Sequence, residues 1–310
     1  MIEHTHTPFQ EHSVENALIL ISCPCKITCS YATRFPRPGE SIRGVSFEVG
    51  CGGRGANQAA QIARLGGKVI MIGMVGNDIF GPLNIENLRK SGVNTDYIEK
   101  SNEAGENSVV VILGANLEIK PSRAEQLEHV IANSKMLLCQ YEIPYDTLKR
   151  AFEIARKNNV TVFFNFSPST PEFDISILKL VDVLCTNRSE TENLSGRNVR
   201  CVEEAVMAVK TIIKLGPKAV ITTLGAKGAV VATEDGLVVH VPVPPVKAVD
   251  TTGAGDSFCG SLAYLMVSKP NLPLEEQVHR AQLVASISVQ RKGAQASYPW
   301  AHDLPDDILG

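Results

Sequence analysis

Apolar residues in this chain fall into short unbroken runs separated by longer stretches of helical period. KMLLCQ at 135–140, VTVFFN at 160–165 and VDVLCTN at 181–187 stay apolar through consecutive positions, whereas Tyr145 to Lys157 and Val202 to Leu215 repeat theirs with the period of a helix. Unbroken runs predict strands buried on both faces, and the stretches between them predict covering helices, so the alternation reads as successive βαβ units. Two segments depart from it. FPRPGESIRGVSFEV (35–49) and NSVVVIL (107–113) read as strands and turns without a helix between, which predicts a small sheet standing off the main one. The expected fold class is α/β: a three-layer αβα sandwich with a mostly parallel central sheet and a small, truncated β-sheet lid. It is read as one domain over 16–305, with lid segments near 27–50 and 96–114 and tails at 1–15 and 306–310.

Composition then narrows the partners. A chain of 310 residues with 44% apolar and 20% charged residues can bury a large core. A net charge of −3 and scattered basic residues give no footprint for nucleic acid or an acidic membrane, so a small-molecule partner is expected. MIEHTHTPFQEHSVE has no apolar signal region, and no later stretch approaches the ~20 apolar residues that span a bilayer. The expected compartment is the cytoplasm, with the nucleus left open. Eight cysteines in so long a chain are expected as reduced thiols, Cys139 and Cys185 packing inside apolar runs. Cys23, Cys25 and Cys29 lack the second pair a zinc site needs, and His4, His6 and His12 read as a frayed tail.

Two glycine-rich stretches carry candidate chemistry. In GCGGRGANQAAQIARLG (50–66), Gly50, Gly52 and Gly55 satisfy G-x-G-x-x-G. The acid that would take a dinucleotide's ribose hydroxyl, ~20 residues on, falls within VIMIGMVG (69–76), which contains none. These glycines therefore read as a strand-to-helix turn, or as backbone brought close to a ligand with Asn57 offering both donor and acceptor to a polyol. In AVDTTGAGDSF (248–258), Thr252 to Gly255 stand at the start of an apolar helix over Ala254 to Val267, where backbone N–H groups and the helix dipole suit a phosphate. Asp256, in the first turn, reads either as a helix-stabilising acid or as the group that takes a proton from an attacking hydroxyl. No G-x4-G-K-[ST] occurs, which excludes a P-loop.

DTTGAGDSF resembles the C-terminal signature of the ribokinase-type (PfkB) carbohydrate kinases, and GGRGANQAAQIARLG with VGNDIFG resembles their N-terminal signature. CQYEIP, NFSP, TNRSETENLSG, ITTLGAKGA and SVQRKGAQASYP follow in the family's order, so the resemblance runs from Ala17 to Pro305. It implies transfer of the γ-phosphate of ATP to the 5-hydroxyl of D-ribose or a related sugar. Asp256 is implied as the base, and the backbone of Gly253, Ala254 and Gly255 as the hole for the transferring phosphoryl group. Gly53, Asn57 and Glu142 match sugar-contacting positions. Thr223, Gly225 and Gly228 match the ATP-binding turn, with Gln282 near the adenine pocket. Asn187 and Glu190 match an Asn-x-x-Glu motif that orders Mg2+, largely through water. A K+ site is implied at Asp250, Thr252, Ser288, Arg291, Gly293 and Ser297. The resemblance leaves a homodimer open.

Two departures bear on activity. The family's first strand ends in a G-S-x-N/T-x-D pattern whose acid binds sugar hydroxyls, and here Lys26, a donor of opposite charge, stands near that place in ISCPCKITCSYATRFP. Between Glu99 and Gly114 there is room for one lid strand where the family's pattern has two. The alternative expectation is therefore a catalytically impaired paralogue or splice form that binds ligand or regulates, or a kinase for another sugar or a nucleoside.

Overall fold

The computed structural model describes residues 17–21, 25–32, 34, 40–101, 114–170 and 172–310. The chain enters through β1 (Leu18–Ile21), leaves for a hairpin of β2 (Cys25–Ala32) and β3 (Gly44–Gly52), and returns through α1 (Arg54–Arg64). Then come β4 (Val69–Gly76), α2 (Phe80–Lys90), β5 (Asn94–Ser101), α3 (Pro121–Gln126) and α4 (Glu128–Ala132). The second half runs β6 (Met136–Gln140), α5 (Tyr145–Lys157), β7 (Thr161–Asn165), β8 (Val183–Asn187), α6 (Arg188–Ser195), α7 (Val202–Ile212) and β9 (Ala219–Thr223). It closes with β10 (Ala229–Thr233), β11 (Val238–Val241), α8 (Ala254–Ser268), α9 (Leu274–Ser288) and α10 (Asp306–Leu309).

Nine strands form one sheet in the order β11-β10-β9-β8-β7-β6-β1-β4-β5, all running the same way except β10, which is antiparallel to both its neighbours. Alternate residues of each strand serve opposite faces, as the pleat requires. Ile19, Ile21, Leu137 and Cys139 pack into a core shared with α3, α4, α5 and α7, while Leu18, Leu20, Met136 and Leu138 pack against α1, α8 and α9. This is the expected αβα sandwich. Among the described residues β2 and β3 pair only with each other, antiparallel from Cys25↔Gly52 to Ala32↔Gly44, and make the small separate sheet.

The structure moves several expected boundaries. The strand expected over 35–49 runs from 44 to 52 and takes in the first glycines. Residues 96–101, expected in the lid, pair in parallel with β4 at the edge of the main sheet, where Tyr97 packs against one core and Ile98 against the other. Residues 107–113, and with them the expected truncation of the lid, lie outside the described residues, as do His4, His6, His12 and Cys23. The helix expected to Leu215 is α-helical to Ile212 and tightens into a 3-10 turn over Ile213–Leu215. At 306–310 the expected tail is instead a short helix whose Ile308 is buried beside Leu304 and Val284.

One contact decides where the site forms. α1 and α8 cross where α8 has no side chain: a Cβ at Gly260 would stand 2.7 Å from the Gln58 carbonyl oxygen and 3.0 Å from the Gln61 Cβ. Such an approach of two helix backbones tolerates only glycine. Gly260→Ala is expected to cost ~1–3 kcal/mol by overpacking, read as a lower midpoint in urea unfolding, and to lower turnover by moving α1 away from α8.

Candidate active site

Polar residues that close apolar strands meet the first turns of two helices beyond the C-terminal ends of the parallel strands. Gln140 ends β6, Asn165 ends β7, Asn187 ends β8 and Thr223 ends β9. β1 lies between β4 and β6, so successive connections leave it in opposite directions. At such a switch point the loops part and leave a crevice.

Asp256 occupies this crevice in the first turn of α8. Its Oδ2 accepts from Asn57 Nδ2 at 2.8 Å and its Oδ1 from Gln58 Nε2 at 3.0 Å. Gln58 Nε2 also donates to Asn165 Oδ1 at 3.1 Å, and Gln58 Oε1 accepts from Gln140 Nε2 at 2.6 Å. On the other side, Gln295 Nε2 donates to Asn57 Oδ1 at 2.9 Å. Burial pushes the Asp256 carboxyl above its ordinary range, against the pull of the two amides and of the Arg54 charge.

The N-terminus of α8 is built to stay open. Its N-cap is Gly253, at φ 76°, and no side chain among the described residues caps the helix. The Gly253 carbonyl accepts from Tyr298 Oη at 2.9 Å, which fixes the turn from behind. At Gly255 an added Cβ would meet nothing within 4 Å, so the turn is open on that side, while the Ala254 N–H donates to the Thr251 carbonyl at 3.2 Å. α6 differs: Asn187 Oδ1 accepts from the Glu190 N–H at 3.0 Å, and Glu190 Oε2 accepts from the Asn187 N–H at 2.7 Å, a closed capping box. Burial raises the Glu190 carboxyl as well.

Glu142, just past β6, is buried and pairs with Arg54 Nη1 at 2.9 Å through Oε1, while its Oε2 has no partner. Burial raises this carboxyl, with the Arg54 charge opposing. A cradle lies farther along the sheet edge. A Cβ at Gly228 would stand 2.1 Å from the Val241 carbonyl oxygen and 3.1 Å from Gln282 Oε1, itself a buried acceptor without a partner. The other expected loop closes around Asp250, whose Oδ1 accepts from the Thr252 N–H at 3.0 Å and whose Oδ2 accepts from the Gly293 N–H at 2.9 Å. The hydroxyls of Ser288 and Ser297 donate to the nearby carbonyls of Ala285 and Ala294, and Arg291 faces Asp303 at 3.8 Å.

The structure thus joins Asp256 to Asn57, Glu190 to Asn187, Gln282 to Gly228, and Asp250 to Thr252 and Gly293. Sequence reasoning had not singled out Arg54, Gln58, Gln140, Asn165 or Gln295. For Arg54, Gln58, Gln140 and Asn165 the signal was present as polar residues in an Ala-rich helix or at the close of apolar strands, whereas Gln295 lies in a 3-10 turn and had no such pattern.

A profile of the pfkB family carbohydrate kinases matches residues 23–301, nearly the whole of this architecture. The chain belongs to that family. Ribokinase of Mus musculus is 37% identical over 311 aligned residues, covering 96% of each chain. A deoxyribokinase of Salmonella typhi is 35% identical over 282 residues, covering 87% of this chain and 91% of that one. The structure of Arabidopsis thaliana ribokinase complexed with ribose and ATP superposes with a TM-score of 0.83 at 29% identity, over 95% of this chain and 99% of that one. The GAGD turn of this pfkB kinase gives a paired prediction. Gly253→Ala forces a Cβ to within 2.5 Å of Tyr298 Oη at a positive φ, and is expected to lower stability and turnover together. Gly255→Ala, with open space and ordinary helical backbone, is expected to hold or raise the melting temperature while weakening ATP-dependent turnover.

Proposed function

We propose that this carbohydrate kinase moves the γ-phosphate of ATP to the 5-hydroxyl of D-ribose, with Asp256 as the base that receives the hydroxyl proton. The observation that carries the reading is the buried Asp256 carboxylate beside the uncapped N-terminus of α8. A carboxylate would ordinarily repel phosphate, and its place there is justified by proton transfer. The N–H groups of Gly253, Ala254 and Gly255 would stabilise charge on the transferring group. The ribokinases among the relatives support ribose, and the partnerless Oε2 of Glu142 supports a hydroxyl-bearing ligand. The deoxyribokinase relative makes 2-deoxyribose the alternative acceptor to assay beside it.

Gly225, with nothing within 4 Å of an added Cβ, and the free Gln282 Oε1 fit a nucleotide lying along the end of β9 next to Thr223. Asn187 and Glu190, engaged with each other in the capping box, fit Mg2+ held through water more than by direct ligation. When bound, Mg2+ supplies charge neutralisation across the phosphates. The loop of Asp250, Thr252 and Gly293, fixed by two N–H bonds to one carboxylate, fits a K+ held by backbone oxygens, with Ser288, Arg291 and Ser297 contributing through their main chain. The cytoplasm is the compartment we infer; no helix among the described residues is long and apolar enough to cross a membrane.

A coupled assay of ADP release, run with ribose, 2-deoxyribose or no sugar and with K+ exchanged for Na+, tests the reading. Ribose-dependent turnover stimulated by K+ is expected; sugar-independent or absent turnover overturns it. Asp256→Asn should lower kcat by ~10²–10⁴ with ATP affinity retained. It should also cost ~1–3 kcal/mol of stability, because one NH2 of the new amide must face the NH2 of Asn57 or Gln58. A protonated base cannot accept a proton, so kcat/KM should rise with pH through a limb above the ordinary carboxylate range. Lys26 lies on β2 opposite Cys51. If it stands for the family's sugar-binding acid, Lys26→Asp lowers the KM for ribose; an unchanged KM assigns that role elsewhere.

A further inference from the structure

The groups that hold Asp256 include residues no ligand reaches. Gln58 and Gln140 are both fully buried. We propose that Gln58 is a positioning residue for Asp256: its carboxamide, locked by Asn165 and Gln140, fixes Oδ1 of the carboxylate and keeps it ionised for proton transfer. The inference rests on the reading of Asp256 as the base.

Hydrogen-bond polarity carries it. The Cys185 carbonyl can only accept, so Asn165 turns Nδ2 toward it at 3.4 Å and leaves Oδ1 facing Gln58. Gln58 must then present Nε2, one N–H to Asn165 and the other to Asp256 Oδ1, while Oε1 accepts from Gln140. Both donors and the acceptor oxygen of the amide are engaged, and a flipped Gln58 would set oxygen against the carboxylate and against Asn165. The orientation therefore starts at a backbone carbonyl of β8 and ends at the base on α8, without a charged group in between. Asn57 is oriented similarly on the other oxygen, through Gln295 and Asn87, whose Nδ2 donates to Gln295 Oε1 at 2.5 Å.

Other charges bear on the same carboxylate. Arg54 of α1 favours its ionised form; Glu142 past β6 and Glu190 of α6 share its field and are themselves raised by it. Cys259 of α8 and Tyr298 are held neutral nearby, both pushed well above their ordinary values. None of these makes the directed contact to Oδ1 that Gln58 makes.

Gln58→Met keeps the length and removes the donor. The acid limb of kcat/KM is expected to move up by about one to two pH units, the size that losing a hydrogen bond to a charged group implies, with activity recovering toward the wild-type plateau at high pH. Gln140→Leu removes only the group that orients Gln58, and its Oε1 has no partner to lose, so it should fold and shift the limb the same way by less. The Asp256 carboxyl resonance, assigned by its loss in Asp256→Asn and followed by 13C NMR without sugar, should titrate higher in both variants. A limb and a resonance unmoved in both, with kcat lowered equally at every pH, would make Gln58 structural only and overturn the proposal. If Gln58→Met does not fold, Gln140→Leu decides alone. Should wild-type enzyme turn over no sugar while the resonance still shifts, the ribose reading fails and the role of Gln58 stands.

Discussion

A carboxylate with little exposure to water has to be compensated inside the protein, and much of this structure is arranged around compensating Asp256. Desolvation of a charge is expensive, so a buried carboxyl either takes up a proton or finds donors. Asp256 has a donor on each oxygen, Asn57 and Gln58, adjacent residues of α1. They reach it because α1 and α8 approach closely at Gly260. The ends of β6 and β7 supply Gln140 and Asn165, which hold Gln58 in turn. Helix packing, strand ends and the polarity of four side-chain amides thus converge on one carboxylate.

The two helix N-termini beside the crevice show how similar geometry serves different ends. At α6 the capping box uses Asn187 and Glu190 to satisfy the first-turn N–H groups, and a cluster of hydroxyls from Thr186, Thr191 and Thr222, each 2.8–3.0 Å from the others, supports it from below. Its partial charge is answered from within the chain. At α8 the N-cap is glycine and the space in front of Gly255 is empty. An uncapped N-terminus leaves N–H groups without partners, and a bound anion is the economical way to satisfy them. Capping at one helix and its absence at the other distinguish an N-terminus satisfied from within the chain from one with room for a ligand.

Periodicity made the main sheet legible because strands buried on both faces must be apolar throughout, and α5 occupies the bounds expected for it. The places of Asn57 and Asp256 in the first turns of helices were legible because a glycine-rich turn followed by a helical stretch is a local signal. What could not be read shares one cause: it depends on pairing between distant segments. Gln58 meets Gln140, Asn165 and Asp256 across 82, 107 and 198 positions of sequence, and no local pattern specifies such partners. β5 was assigned to the lid because it carries polar residues on one face, which an edge strand of the main sheet tolerates as readily as a lid strand does. Ile308 was passed over because two adjacent apolar residues, Ile308 and Leu309, show no periodicity, although packing beside Leu304 buries Ile308.

The site also holds two carboxylates in different company. Glu142 faces a guanidinium, whose charge opposes the burial that raises its carboxyl. Asp256 is held by neutral amides, which stabilise its charge by less than an ion pair would, while burial acts in the opposite direction. The balance raises its proton affinity, which is the direction the proposed role as base requires. Had Arg54 paired with Asp256 instead of Glu142, the same residues would have given a tighter ion pair and a poorer base. Burial raises both carboxyls, and what distinguishes them is their directed contacts, a guanidinium at Glu142 and two amides at Asp256.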